Sequence, residues 1–248
     1  MQIRAPQQEY KRLLMKNSFR KIDVVILCGG KGTRMGDLVK DVPKPLIKIG
    51  DKTLLQMKLE ALPQNVERVF IVVSHMKEKI IEHVEALKYP KPIVFVDQKE
   101  TLGTAHALWQ VKDQVGEHFI SMMGDDLYST KDIEFLSGLE WGLSTLPKPP
   151  KIGELSFEKE GDYFTSALTV DEKFSLEVVN YDCGMYKLKR DIFNQEMVPI
   201  KQGKEFGLPH TIIKFVEDTK TPLYLHRLGM WEIINSPEDL DRVKNTRL

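Results

Sequence analysis

From residue 22 onward the chain alternates apolar runs suited to buried strands with amphipathic stretches suited to helices. IDVVILC (22–28) is nearly continuously apolar and β-branched, as a strand covered on both faces requires, and RVFIVV (68–73), PIVFV (92–96) and HFISMM (118–123) repeat the pattern. Helical spacing runs between them, near 53–62, 77–88, 103–112 and 131–141. This alternation predicts βαβ crossovers, and so an α/β fold with a mostly parallel sheet and helices on both faces. The stretch LPKPPKIG (146–153) breaks the rhythm. Shorter strand candidates follow at FTSALTV (164–170), GMYKL (184–188) and PLYLHRL (222–228). A last helix starts at Ser236, where Ser236-Pro237-Glu238-Asp239 supplies a cap, a proline at the first helical position and acids in the first turn. With no internal repeat or low-complexity segment, one domain is expected over 21–248, irregular in its second half.

Residues 1–20 stand apart as a basic extension, with Arg4, Lys11, Arg12, Lys16 and Arg20 against Glu9 alone. Their acid-poor character suits a targeting peptide or a basic arm, while Tyr10, Leu13 and Leu14 could share one face of a helix; a solvated or loosely packed N-terminal helix is the plainer expectation. Over the whole chain 36 basic residues balance 36 acidic ones. That balance gives no global pull towards nucleic acid or anionic lipid, and neither is expected as a partner. Cys28 and Cys183 form no CxxC pair, and no apolar run approaches the roughly 18 residues of a membrane span. A reducing, cytoplasmic setting is expected. A homo-oligomer stays open, with the basic arm and the Pro-rich loop as contact surfaces.

The unusual chemistry begins at LCGGKGTRMGD (27–37). G-x-G-x-x-G fails, because Gly30 and Gly32 would need a glycine at Met35, and no G-x-x-x-x-G-K-[ST] occurs. What remains is a strand running into Gly29, Gly30 and Gly32, then Thr33 and Arg34. Glycines let backbone N–H groups crowd an anion, and a guanidinium just beyond supplies a permanent charge, so the loop suits a triphosphate. In VPKPLIKI (42–49), Lys44 sits between two prolines that fix the backbone beneath it.

At this point LCGGKGTRMGDLVKDVPKPLIKIGDKTLL resembles the signature of the sugar-phosphate nucleotidyltransferases, the nucleoside-diphosphate-sugar pyrophosphorylases. The resemblance implies a single Rossmann-like nucleotidyltransferase domain and continues along the chain. Leu27, Gly29, Gly30, Gly32 and Thr33 fall where the family binds the nucleotide. In DQKETLGTAHAL, Gln98, Gly103 and Thr104 resemble the base-reading segment, the glutamine amide bonding the base edge. Asp125 in MMGDD matches the family's magnesium ligand, at the strand end where open α/β sheets bind ligands. In VDEKFSLEVVNYDCGMY, Glu172 and Lys173 match the Glu-Lys pair of the sugar side, with Lys173 on the sugar phosphate, and Asp182 and Gly184 fall where sugar hydroxyls are held. LGMWEIINSPEDLDRV resembles the closing tryptophan segment, with one departure: the place where many members carry a second metal aspartate is Ile233. Asn235, two residues on and on the same side of a strand, is the expected substitute ligand; Glu232 should face the other way.

The implied reaction joins an NTP, with UTP favoured and dTTP or CTP next, to a sugar 1-phosphate, giving NDP-sugar and pyrophosphate with Mg²⁺. Repulsion between the two anions is the main obstacle, so Arg34 is assigned to the leaving pyrophosphate, Lys44 to the α-phosphate and Lys173 to the sugar phosphate. Transfer to a non-sugar phosphate such as phosphocholine, or a nucleotide-sensing relative without turnover, are the alternatives. His75 and His106 are read as loop and helix residues rather than acids or bases. Cys28 is read as packing, the three tryptophans as helix-face or core residues, and Asp126 as a structural neighbour of Asp125.

Overall fold

A computed structural model describes residues 20–152, 154–170 and 177–247. The basic extension, Arg20 excepted, lies outside the described residues, as do Glu172 and Lys173. Nine described strands form the central sheet: β1 (Ile22–Leu27), β2 (Val66–Val73), β3 (Ile93–Asp97), β4 (His118–Met123), β5 (Gly142–Lys148), β6 (Leu155–Glu160), β7 (Tyr163–Thr169), β8 (Val179–Lys189) and β9 (Tyr224–Arg227). Their order is β3-β2-β1-β4-β8-β5-β9-β7-β6. The first four are mutually parallel, as their unbroken apolar runs predict. The sheet is mixed beyond them, because β8 runs antiparallel to both β4 and β5 while β9 is parallel to β5.

The period of two along β1 explains the two-sided core. Ile22, Val24, Ile26 and Cys28 join one apolar cluster and Val25 and Leu27 the other. Helices α1 (Leu54–Glu60), α2 (Lys77–Ala86) and α4 (Thr130–Ser137) cover the first face through Leu55, Leu59, Ile80, Val84, Ile133 and Leu136. Helices α3 (Thr104–Trp109) and α5 (Leu208–Thr219) cover the second through Leu108, Ile212 and Phe215. The last helix, α6 (Pro237–Arg247), packs Leu240 and Val243 on a third, smaller cluster with Met35 and Leu54. No helix among the described residues is long and apolar enough to cross a membrane.

The Pro-rich stretch is strand as far as Lys148, where a loop was expected. Pairing of β5 with β9 stops at Thr145, so Pro147 sits where one strand edge is free and its missing N–H costs no ladder bond there. Trp141 stacks on Phe215 with ring centroids 4.7 Å apart, and Trp109 meets Phe193 edge-on at 5.1 Å, so both serve packing.

Asp132 ties the closing tryptophan segment to the sheet. Ser129 caps α4 by accepting from the Asp132 N–H, and the Asp132 carboxylate bonds His226 Nε2 at 2.9 Å and the backbone N–H groups of Gly229 and Met230. Burial pushes this carboxyl up, but His226, the Ser129 hydroxyl and the two backbone donors outweigh it and hold it at about 2, below its usual 3.8. A depressed acid stabilises the fold above its unfolded value and loses that contribution as pH falls towards the folded one. Asp132→Asn is therefore expected to destabilise by about 1–2 kcal/mol at pH 7 after allowance for solvent screening, the gap closing between pH 4 and 2. Urea melts across that range check it; a gap independent of pH would refute the account.

Candidate active site

Between β1 and β4 the chain order reverses, since β2 and β3 lie to one side of β1 and β4 to the other. The crevice beyond the carboxyl ends of these two strands is where an open α/β sheet binds ligands. A cavity of about 560 Å³ opens there. The approach of the two strand ends is close: Gly124 N–H donates to the Leu27 carbonyl at 3.0 Å, and a Cβ on Gly124 would stand 2.7 Å from both that oxygen and Cys28 Sγ. Burial pushes the Cys28 thiol up to about 12, against the pull of Lys58, so it packs here as a neutral group.

Leu27, Gly29, Gly30, Gly32, Thr33 and Arg34 all line this cavity. Gly32 turns the chain at φ 64° and caps a short 3₁₀ segment, Thr33–Val39, anchored by fully buried Met35. Thr33 and Arg34 are left exposed at the rim, and Lys31 joins them. Neither Lys31 nor Arg34 has an ion-pair partner among the described residues, so two cations face the cavity uncompensated.

Lys44 is held differently. Pro43 and Pro45 flank it, Leu46 N–H closes a turn onto the Pro43 carbonyl at 2.8 Å, and the residue is 6% exposed. Its ammonium bonds the Asp125 carboxylate and, at 2.8 Å, Asn235 Oδ1. An ammonium has three donors, and two are used. The third is available to a ligand in the cavity that Lys44 lines.

Asp125 and Asp126 part as adjacent strand-end residues should. Asp125 lines the cavity, whereas Asp126 is buried below it, 3.4 Å from a Tyr128 hydroxyl that donates to the Cys183 carbonyl at 2.7 Å. Burial, then the charge of Asp125, push Asp126 up to about 7. Lys58, buried beneath and donating to the Asp126 carbonyl, is pushed down to about 8 by burial, against the attraction of Asp126. The Trp231 indole N–H faces Asp126 without closing to a full hydrogen bond, and its ring tilts against Tyr181 at 5.7 Å.

Asn235 reaches the cavity by another route than the one expected. The short strand ends at Glu232, so alternation along it does not place Asn235. The cap of α6 does: Asp239 Oδ2 accepts from the N–H groups of Asn235 and Ser236, and Ser236 Oγ accepts from Asp239 N–H at 3.2 Å. Buried Ile234 pins the turn from the other side. Glu232 is engaged by Arg242 at 2.6 Å, outside the cavity.

Gln98, Gly103 and Thr104 line the opposite wall. Gly103 has φ 96°, and a Cβ on it would fall 2.5 Å from the Phe206 carbonyl. The neighbour is a hairpin joining Pro199–Ile200 to Glu205–Phe206, hooked on by the Phe206 N–H to the Leu102 carbonyl at 2.7 Å. Ile200, Lys201 and Glu205 of this hairpin line the cavity, and no local motif marks them in the sequence. Thr104 Oγ1 accepts from the Leu208 N–H at 3.0 Å, joining α3 to α5.

Asp182 and Gly184 are not brought to this cavity. They form a bulge in β8, where Gly184 at φ 71° packs against Met123, while Asp182 accepts from Tyr186 Oη at 2.6 Å and from Gly184 N–H at 2.9 Å. Burial raises Asp182 to about 6, the two donors notwithstanding.

The chain matches the family model described as Nucleotidyl transferase over residues 23–137. It is 32% identical over 233 residues to a bifunctional protein GlmU of Methanococcus vannielii, covering 90% of this chain and 54% of the relative. The chain thus spans about half the length of that relative. It is 31% identical over 178 residues to a D-glycero-alpha-D-manno-heptose 1-phosphate guanylyltransferase of Campylobacter jejuni, covering 70% of this chain and 78% of that one. Among solved structures, a UDP-glucose pyrophosphorylase complexed with UDP-glucose superposes with a TM-score of 0.74 at 20% identity, covering 91% of this chain and 98% of the other.

Proposed function

We propose, from the premise that this chain belongs to the nucleotidyl transferase family, that it transfers a nucleoside monophosphate from a nucleoside triphosphate to a sugar 1-phosphate. UTP is the favoured donor, with dTTP or CTP next. The observation that carries this reading is the meeting of Lys31, Arg34 and Lys44 around a glycine-rich cavity at the switch point of the sheet. A relative named for a sugar 1-phosphate acceptor supports the choice of acceptor.

In the reaction a phosphate oxygen of the acceptor attacks the α-phosphorus, and the bond to the bridging oxygen breaks to release pyrophosphate. That oxygen is already a nucleophile, so the task is to align two anions and neutralise them. Lys44 sets its free N–H on the α-phosphate, Arg34 takes the leaving pyrophosphate, and the backbone from Gly29 to Gly32 cradles the chain of phosphates. Lys173 is assigned to the sugar phosphate.

Asp125 and Asn235 fit a hard divalent cation. They bring two oxygen-bearing side chains from distant parts of the chain together beside the Lys44 ammonium, and Asp125 keeps a second carboxylate oxygen that would face an ion. Mg²⁺ takes one or two protein oxygens and leaves other positions to water and phosphate, and when bound it supplies charge neutralisation on the triphosphate.

Pyrophosphate release tests the proposal, measured with Mg²⁺ over a matrix of nucleoside triphosphates against sugar 1-phosphates and other phosphomonoesters. Release requiring an NTP and a sugar 1-phosphate together is expected. Release only with a non-sugar phosphate such as phosphocholine would move the acceptor; nucleotide binding with no release from any pair would replace transfer by sensing.

A further inference from the structure

Gln98 is 3% exposed, and the surroundings of its amide are asymmetric. The nitrogen lies 3.4 Å from the Gly103 carbonyl and 3.1 Å from His106 Nδ1. The oxygen lies on the other side, against Gly29, where a Cβ would come within 2.5 Å of it. A backbone carbonyl can only accept, so Gly103 favours the nitrogen end of the amide on its side, but at 3.4 Å its hold is weak and His106 at 3.1 Å makes the closer contact. The second N–H of that nitrogen then points at His106 Nδ1, which must be the lone-pair nitrogen of the ring. The other ring nitrogen then carries the hydrogen and faces the Gln110 amide nitrogen at 3.3 Å, donor to donor, so the hydrogen bond of that amide is the one it gives to the His106 carbonyl at 2.9 Å. Both N–H groups of Gln98 are thus spent on the protein. Its oxygen receives no hydrogen bond from any described residue and remains as an acceptor on the wall of the cavity.

Resting on the nucleotidyl-transfer reading above, we infer that His106 is a positioning residue for base selection: it fixes Gln98 so that the site presents an acceptor to the nucleobase. Such a site pairs with a base carrying a ring N–H on its pairing edge, namely uracil, thymine or guanine. Cytosine and adenine carry a ring lone pair at that place, which sets two acceptors face to face unless the base slides to offer its exocyclic amine. Gly29 belongs to the same device, since only a residue without a side chain leaves room for the oxygen. Remove the His106 acceptor, and one N–H of Gln98 loses its partner; the amide can turn over and offer a donor to the base instead. His106 needs no contact with the substrate for this, only the hydrogen bond to Gln98.

The test uses the full chain and compares UTP with CTP, by kcat/KM for pyrophosphate release and by calorimetric binding of each nucleotide alone. Wild type is expected to favour UTP by about a hundredfold. His106→Leu should lower that ratio about tenfold, through KM and Kd rather than kcat, whereas His106→Gln, whose side-chain oxygen can accept from Gln98, should keep it. Thermal melts of each variant establish that it is folded. A ratio unmoved in His106→Leu, a His106→Gln variant that loses it as fully as leucine does, or a wild type that favours CTP would each overturn the inference. Failure of the underlying reading looks different: wild type would then release no pyrophosphate from any nucleotide, whatever the binding ratio.

Discussion

Replacing Lys44 by methionine is expected to lower kcat/KM for pyrophosphate release by about 10²–10³, with most of the loss in kcat. The ammonium is buried and fixed by Asp125 and Asn235, so its position is settled before substrate arrives and needs no reorganisation during the reaction. Methionine keeps the stem and removes the donors. The fold should survive, because Asp125, with its side chain 24% exposed, can turn to water once its partner is gone. A melting temperature within about 3 °C of wild type is expected, equivalent to roughly 1 kcal/mol for a chain of this size. Arginine should not rescue. A Cβ on Gly32 would lie 3.2 Å from Lys44 Cβ and 3.4 Å from Cδ, so the stem runs tightly between the glycine loop and its flanking prolines, and a planar fork needs more room than a point charge. Steady-state kinetics on Lys44→Met and Lys44→Arg decide it. Activity within tenfold of wild type in the methionine variant would remove Lys44 from the mechanism.

What the sequence discloses and what it hides follow from how local each constraint is. The parallel half of the sheet is legible because strands covered on both faces need continuous apolar runs, and 22–28 and 118–123 have no other use for them. The glycine loop and the Pro-Lys-Pro turn are legible because glycine and proline restrict the backbone wherever they stand. Helix α5 was not expected, although Leu208, Thr211, Ile212, Phe215 and Val216 follow helical spacing. Its buried face includes a polar residue, Thr211, which interrupts the apolar stripe and weakens the periodic signal. Thr211 fits there because its hydroxyl donates to the Gly207 carbonyl at 2.8 Å. The hairpin at 199–206 and the grip of His106 on Gln98 depend on contacts that spacing does not encode. Asn235 shows an expected residue arriving by an unexpected means: the sequence predicts placement by alternation along a strand, and a capping bond from Asp239 is what positions it.

The second large effect belongs to Asp125. Asp125→Ala is expected to lower kcat/KM by at least about 10³, and Asp125→Asn by about 10², since asparagine keeps an oxygen but not the charge. The distinguishing readout is the ion requirement. The Mg²⁺ concentration for half-maximal rate should rise about 10–100-fold in Asp125→Asn, and binding of Mn²⁺ followed by electron paramagnetic resonance in the presence of UTP should weaken in parallel. A rate that falls while both Mn²⁺ affinity and the Mg²⁺ midpoint stay put would mean that the carboxylate acts only by orienting Lys44. The two roles are separable by a double-variant cycle. Lys44 and Asp125 share one contact, so their effects are not independent. If Asp125 served Lys44 alone, Lys44→Met with Asp125→Ala would lose no more than the larger single loss. If Asp125 also holds the ion, the double variant should fall at least about tenfold further, because the methionine leaves the carboxylate in place and the second change then removes it. That further loss is the expected result, since Asp125 and Asn235 offer their oxygens at the point where the phosphates must be neutralised.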